Sequence, residues 1–375
     1  MSAKPSRQII AKLTLVIVST LLTLLALEIV FRIYFAFSGT DIRNYRPSFV
    51  YSPTDEDRSR FTSHPFLPYA PRPFDTRKMF PYREEIKQTV ETDYSTNSLG
   101  FRTPERPFEK PPKTKRIITL GGSTTFDGPT NDQTWSALLE KRLNETYAKS
   151  GYKIEVINLA VDMASSPYSL VNLCFIGVSF QPDLVISYDG VNDSWIIGYQ
   201  GLMPDYRSLM DKYDPRERTL QSKLPKWLFA SYLVSFISHK IDASIDSKPD
   251  LVGQVLGRKV ALLKPSENQL EGIQYFKRNL KLMRGISNEY GAKFLAATSH
   301  WVHPSDKVVA MNEDMRRFFE QEHIDFLDLD RLLPHDDYSI HVDAVHWSLK
   351  GEEMMAERWE AKIIETDALG LNAAR

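Results

Sequence analysis

Arg116-Ile117-Ile118-Thr119-Leu120-Gly121-Gly122-Ser123-Thr124-Thr125 is the stretch on which the reading of the fold turns. A short β-branched run predicts a buried strand, and the glycine pair behind it predicts a tight turn that leaves a serine at the strand's carboxyl end. Outward from this point the two kinds of periodicity alternate. Trp135 to Tyr147 has helical spacing, Ile154 to Leu159 reads as strand, Ser169 to Val178 as helix and Leu184 to Tyr188 as strand. After an interruption, Ile273 to Tyr290 reads as helix, Lys293 to Thr298 as strand, Asn312 to Glu322 as helix, Phe326 to Leu329 as strand and Leu349 to Ile364 as helix. Such alternation predicts an α/β fold with a mainly parallel sheet, helices on both faces and ligands beyond the carboxyl ends of the strands.

Composition narrows the function classes. Lys plus Arg (47) and Asp plus Glu (48) nearly cancel over 375 residues, so no bulk field favours nucleic acid. The single cysteine, Cys174, excludes an intramolecular disulfide and a cysteine-based zinc site, and its apolar neighbours predict a buried structural thiol.

The N-terminus reads differently. Residues 13–37 are overwhelmingly apolar and long enough, at about 1.5 Å per residue, to cross a bilayer core of about 30 Å as a helix. Glu28 and Arg32 interrupt the run four residues apart, a spacing that pairs them near the membrane boundary. A cleaved signal peptide ending at Ala36-Phe37-Ser38 is the alternative, disfavoured because a signal's apolar core is only about 7–15 residues long. Lys4, Arg7 and Lys12 before the span are nearly matched by Arg43 and Arg46 after it. The expected arrangement is a single pass through the inner (cytoplasmic) membrane, with the 1–12 tail inside and the catalytic part outside, in the periplasm of a bacterium.

Residues 38–115 are rich in proline and aromatics and predict an ordered extension packed on the domain that follows, with a strand over Lys87 to Tyr94 and a turn at Asn97-Ser98-Leu99-Gly100. The catalytic domain is expected over 116–368, interrupted at about 196–267. The interruption carries an apolar helical stretch, Lys226 to Ile237, which reads as a cap over an acyl or lipid pocket or as a helix packed on the domain core.

Three short words supply chemistry in one order along the chain. Ser123 at a strand end can present its hydroxyl above the sheet edge. Asp343 and His346 lie three apart, so on a helical turn the carboxylate accepts from Nδ1–H of the imidazole and leaves Nε2 for a serine proton. Asn192, in Gly190-Val191-Asn192-Asp193, carries an amide able to donate to an oxyanion, or serves merely as a turn residue. Asp193, Trp195 and Trp347 flank these words as candidate substrate-binding residues, and Trp301 joins the tryptophans as a possible sugar-stacking surface, with buried packing as the alternative. His335, Asp336, Asp337, His341, Asp343 and His346 crowd one loop, with His300 and His303 nearby. That is metal-ligand vocabulary without metal-ligand spacing, so no metal and no cofactor is expected.

Together the blocks Gly121-Gly122-Ser123-Thr124-Thr125, Gly190-Val191-Asn192-Asp193 and Asp343-Ala344-Val345-His346 resemble the SGNH hydrolase family, also called GDSL esterases and lipases. The resemblance covers roughly Arg116 to Ile364 and implies a flavodoxin-like three-layer α/β/α fold. It implies that Ser123 is the nucleophile, His346 the base, Asp343 its orienting partner, and Ser123, Met163 and Asn192 the oxyanion donors. Three positions depart from the family pattern: Gly122 stands where many members have Asp, and Met163 and Ala160 stand where the second block has glycines. A backbone N–H survives at Met163, but its backbone must reach an angle natural to glycine. Asn97-Ser98-Leu99-Gly100-Phe101-Arg102 also looks like a segment of anchored relatives, read here as a structural hairpin. The resemblance implies a membrane-anchored serine esterase acting on an acylated carbohydrate or lipid. An envelope-sugar acyltransferase and a non-catalytic glycan-binding protein are the alternatives.

Overall fold

The computed structural model describes residues 7–38, 42–45, 61–62, 64, 66–67, 69–79, 82–83, 88–204, 206, 224–247 and 266–372. They belong to two compact units, one drawn from residues 1–59 and 211–262, the other from 60–210 and 263–375. Helices are numbered in chain order: α1 (Arg7–Phe37), α2 (Ser123–Phe126), α3 (Trp135–Thr146), α4 (Ser166–Phe175), α5 (Val191–Ile196), α6 (Tyr232–Ser247), α7 (Ile273–Glu289), α8 (Asp306–Gln321), α9 (Leu329–Leu332) and α10 (Leu349–Glu365).

The larger unit is organised by a sheet of β1 (Thr114–Gly121), β2 (Lys153–Asn158), β3 (Leu184–Tyr188), β4 (Lys293–Ala297) and β5 (Asp325–Leu327). All neighbours pair in parallel, in the order β5-β4-β3-β1-β2. This is the doubly wound flavodoxin-like order, whose switch point, the place where ligands bind, falls between β1 and β3. Strand residues alternate between two cores. Ile117, Ile186 and Leu295 meet Trp135, Leu139, Met355 and Trp359 of α3 and α10, while Ile118, Val185 and Ala296 meet side chains of α4, α7 and α8 on the other face. The α/β expectation and its three layers hold.

Two local differences have physical causes. Helix α8 starts at Asp306, six residues before the expected Asn312, following Ser305 in extended backbone and with acidic Asp306 in its first turn, and its buried face includes a polar residue. The Asn312 amide accepts from the backbone N–H of Ser299 at 3.0 Å and donates to its carbonyl at 2.7 Å, so it breaks the apolar period without being on the surface. Cys174 is exposed, not buried as its neighbours suggested. Helix α4 turns the small polar residues Ser166, Ser169 and Asn172 inward with Tyr168 and Leu173, and its apolar residue Phe175 faces outward to stack on Phe66 at 5.0 Å.

Within the extension, Phe61–Thr62 pairs with Ala70–Pro71, Thr76–Met79 with Thr92–Ser95, and Tyr82–Arg83 with Gln88–Thr89. The single strand expected over Lys87 to Tyr94 is therefore two, separated at Val90 and Glu91. Leu67 and Phe101 join the core on the α4 side, and the Tyr69 hydroxyl donates to the carbonyl of Asp162 at 3.1 Å. The turn at Asn97 is present: its side-chain oxygen accepts from the N–H groups of Leu99 and Phe101, both at 3.0 Å.

In the smaller unit α1 is a helix of 31 residues that begins at Arg7. Its stretch Ala11–Phe37, of hydropathy 2.4, is long and apolar enough to cross a membrane. The expected helical stretch from Lys226 to Ile237 is broken at Ser231 into a short 3-10 turn, Lys226–Ala230, and α6. Lys4 and Arg46, which enter the orientation reading, and residues 205, 207–223 and 248–265 of the interruption lie outside the described residues.

Candidate active site

The site is built at the switch point. Strand β1 ends at Gly121, whose φ of +153° is one that L side chains rarely adopt and where a Cβ would lie 2.6 Å from the carbonyl oxygen of Tyr188, and Ser123 opens α2 two residues later. As the first residue of a helix, Ser123 has an N–H that no turn carbonyl can reach, so it is available to an anion. Gly122 is held to glycine by crowding: a Cβ there would lie 2.5 Å from Nδ2 of Asn192 and 2.8 Å from the carbonyl oxygen of Ala164. The absence of a side chain at 122 is what lets the Asn192 amide stand against the turn that carries Ser123.

His346 arrives from the far side on the loop before α10. His341 and Trp347 form an isolated antiparallel bridge, and the N–H of Val342 donates to the carbonyl of His346 at 2.9 Å, which leaves Asp343 at the tip of a tight turn. One carboxylate oxygen of Asp343 accepts from the backbone N–H groups of Val345 and His346 at 2.9 and 2.8 Å, an aspartate turn that fixes its own loop. The other oxygen lies 2.7 Å from Nδ1 of His346. An ionised carboxylate only accepts, so Nδ1 carries the hydrogen and Nε2 is left to accept the Ser123 hydroxyl, 2.8 Å away. Burial pushes the Asp343 carboxyl upward, but the hydrogen bonds and charge of His346 outweigh it and hold the group well below the usual carboxylate range.

A second carboxylate, unmarked in the sequence reading, faces the other ring nitrogen. Asp127 Oδ2 lies 3.5 Å from Nε2 of His346, and the Asp127 N–H donates to the Ser123 carbonyl at 2.7 Å. The signal was present: Asp127 stands four residues after the serine, the spacing that places two side chains over one helical turn. Arg102, buried, fixes the loop around it. Its guanidinium donates to the carbonyls of Phe126 (3.1 Å) and Gly128 (2.9 Å) and to the Asn131 side chain (2.9 Å). The expected structural role for the Asn97–Arg102 segment thus extends to the loop that carries Asp127.

On the oxyanion side, Met163 has φ +62°, the left-handed angle that glycine adopts freely and that costs other residues about 1 to 2 kcal/mol. Its side chain is 44% exposed, so the thioether points out of the core. Asn192 donates one amide hydrogen to the Ala164 carbonyl at 2.6 Å, next to Met163, and retains a second donor.

Two expected substrate-binding residues lie elsewhere. Asp193 is fully buried, accepting from Ser166 Oγ at 2.6 Å, Ser166 N at 3.0 Å and the Tyr206 hydroxyl at 3.0 Å, so it braces the turn of Asn192 and touches no ligand space. Trp347 is 4% exposed, stacked 5.7 Å from His300 and tilted 6.4 Å from Tyr188, and fills the core beneath the base loop. Trp195 is the opposite case: 62% exposed, one turn beyond Asn192 on α5 and 5.6 Å from Trp301. The histidine-rich loop resolves into a ring stack, with His300 between His335 (4.9 Å) and His341 (5.0 Å). Among the described residues no three His, Cys, Asp or Glu side chains converge as a metal-holding group.

No protein-family model matches this chain, and no curated protein does. Among solved structures it is similar to a lipolytic protein of the G-D-S-L family from Desulfitobacterium hafniense, 13% identical with a TM-score of 0.39 over 66% of this chain and 99% of that one. It is similar to an acetyl xylan esterase, 13% identical with a TM-score of 0.41 over 66% of this chain and 100% of the other. It is also similar to a lipase/acylhydrolase from Enterococcus faecalis, 14% identical with a TM-score of 0.39 over 66% and 95% of the two chains. The structural neighbours of this chain are GDSL-type lipolytic hydrolases.

Proposed function

We propose that this chain is a membrane-anchored serine esterase of the SGNH type, which removes acyl groups such as acetyl from an extracytoplasmic glycan or lipid. The observation that carries the reading is the His346 ring, bonded through Nε2 to Ser123 Oγ at 2.8 Å and through Nδ1 to Asp343 at 2.7 Å. Ser123 attacks the ester carbonyl while Nε2 takes its proton, forming a tetrahedral oxyanion. The Ser123 and Met163 N–H groups and the Asn192 amide are the donors for that oxygen. Nε2–H then protonates the leaving alcohol, and the same nitrogen later draws a proton from water as it attacks the acyl-enzyme and returns that proton to Ser123 Oγ as the acid leaves.

Each time Nε2 is protonated the ring becomes a cation, with Asp343 on one edge and Asp127 3.5 Å from the other. A carboxylate at that distance favours the cation, so Asp127 assists both proton transfers electrostatically. Trp195, exposed beside Asn192, offers an aromatic face to a sugar ring. α1 supplies the anchor, with the catalytic unit outside the cytoplasm.

The deciding experiment is labelling of the membrane-bound protein with a fluorophosphonate, with the modified residue mapped by peptide mass. Ser123 should carry the label, and Ser123→Ala should lose both labelling and esterase activity. Retained activity in Ser123→Ala would sink the mechanism.

A further inference from the structure

The carboxylate of Glu28 does more than pair with Arg32. It lies on α1, within the stretch read as a membrane span, and it accepts from Arg32 Nε at 2.8 Å. It also accepts from Ser231 Oγ at 2.6 Å and from the backbone N–H groups of Tyr232 and Leu233, both at 3.1 Å. Those are first-turn donors of α6, which have no partner inside their own helix. Glu28 is therefore an N-terminal cap supplied by one helix to another. Arg32 completes the joint, donating to the Ala230 carbonyl at 3.1 Å and lying 4.7 Å over the Tyr232 ring.

From there α6 runs beside the last turns of α1. Phe31 meets Phe236 at 5.1 Å, Phe35 meets Tyr232 at 5.8 Å, and Tyr45 meets both Phe236 (5.2 Å) and His239 (5.1 Å). The depth of α6 is thereby tied to residues 28–35 of α1. Ala11–Phe37 is 27 residues long. At about 1.5 Å per residue it extends about 40 Å, some 10 Å more than a hydrocarbon core of about 30 Å. The charged residues Glu28 and Arg32 put that surplus at the carboxyl end, so the part of α1 that holds α6 lies at the level of the lipid headgroups.

The outer surface of the second element suits that level. Trp227, in the turn before α6, is 74% exposed, and Ile237 and Ile241, one turn apart on α6, are 45% and 40% exposed. On α1, Tyr34 and Phe37 are exposed as well. Interfacial tryptophan and a helix that buries one apolar face at the headgroup boundary are the recognised features of a membrane-surface element.

We propose that residues 226–241 form a second membrane-contacting element, clamped by Glu28 to the end of the anchor and resting Trp227, Ile237 and Ile241 in the headgroup region of the bilayer. The interruption of the catalytic sequence then serves attachment. The proposal rests on the reading of α1 as a membrane anchor.

The test uses the full chain with Cys174→Ser, reconstituted in phosphatidylcholine nanodiscs, with one new cysteine at a time carrying an environment-sensitive fluorophore. The positions are Leu22→Cys in the anchor, Ile237→Cys and Ile241→Cys in α6, and Lys141→Cys at an exposed position on α3. Lipids spin-labelled near the headgroup should remove about half of the emission at 237 and 241, where an interfacial helix lies, and none at 141. Lipids spin-labelled deep in the chain should act mainly at 22. Quenching at 22 with 237 and 241 behaving like 141 overturns the proposal and leaves the anchor reading intact. No quenching at 22 removes the anchor reading, and the proposal with it.

Discussion

The two halves of the candidate site rest on opposite kinds of buried chemistry. Under the oxyanion side lie two carboxylates, Asp189, which accepts from Ser169 and Ser187 at 2.8 and 2.6 Å, and Asp193. Under the base side lies the stack of His335, His300, His341 and Trp347. Burial disfavours charge in both, with opposite sign. It pushes Asp189 up, helped by the neighbouring Asp193 charge, and pushes His300 down to about 3, helped by His341 and His335. A carboxyl raised in the fold contributes stability that is lost as pH rises above its unfolded value of about 3.9. An imidazole depressed in the fold contributes stability that is lost as pH falls below its unfolded value of about 6.5. Between about pH 4 and 6.5 the two responses therefore run in opposite directions, one scaffold losing stability as pH rises and the other as pH falls, so that they offset one another.

The sharpest test of the comparison is the chemistry each half supports. In the proposed mechanism His346→Ala removes the base and should lower kcat by roughly 10⁴- to 10⁶-fold. Asn192→Ala removes one of the three proposed oxyanion donors and should cost roughly 10²- to 10³-fold, with KM little changed. Steady-state kinetics on a small aryl ester measures both. Equal losses would mean that Asn192 does more than donate, for instance that its bond to the Ala164 carbonyl holds the nucleophile turn together.

How far these halves were legible in the sequence follows the same division. Ser123, Asp343 and His346 were readable because their chemistry is in the residue types and their order, and the strand-end position of Ser123 follows from β-α alternation. What surrounds them was not. Asp193 and Trp347 look like ligand contacts in the sequence because a carboxylate and an indole beside a site are useful there. The fold buries one against Ser166 and Tyr206 and the other against His300. The crowded histidines read as ligand vocabulary, yet they face one another as rings, a relation that no spacing rule encodes. Asp127 is marked in the sequence only by its spacing of four from Ser123, and its meeting with His346 is made by the fold. Cys174 was misjudged because its neighbours' character says nothing of which side of α4 turns inward.

Acid stability tests the base side. His300 faces His335 and His341 directly; beyond them lie Asp330, 3.6 Å from Nε2 of His335, and Asp337, whose carbonyl is 3.2 Å from Nδ1 of His341. His300→Phe keeps an aromatic ring in the stack and removes the proton site. The variant's melting temperature should move upward relative to the parent as pH falls from 7 to 4, by several degrees if a kilocalorie-scale penalty is relieved. Thermal scans across that range decide it, and a constant offset would mean that another group sets acid sensitivity.

The smallest expected effect belongs to the oxyanion side. Asp189→Asn preserves size and removes the charge, but an amide nitrogen facing two serine hydroxyls requires one of them to turn from donor to acceptor. The variant is therefore expected to be slightly less stable than the parent at pH 4.5, where the buried carboxyl is already protonated. As pH rises to 8 the parent loses stability through the raised carboxyl and the variant does not, so the gap should close or reverse. The slope of that difference is the informative quantity, because a hydrogen-bond defect alone is independent of pH. A gap that widened with pH would show the ionised Asp189 to be the stabilising form, and the two halves of the site would then share one pH response in place of two opposed ones.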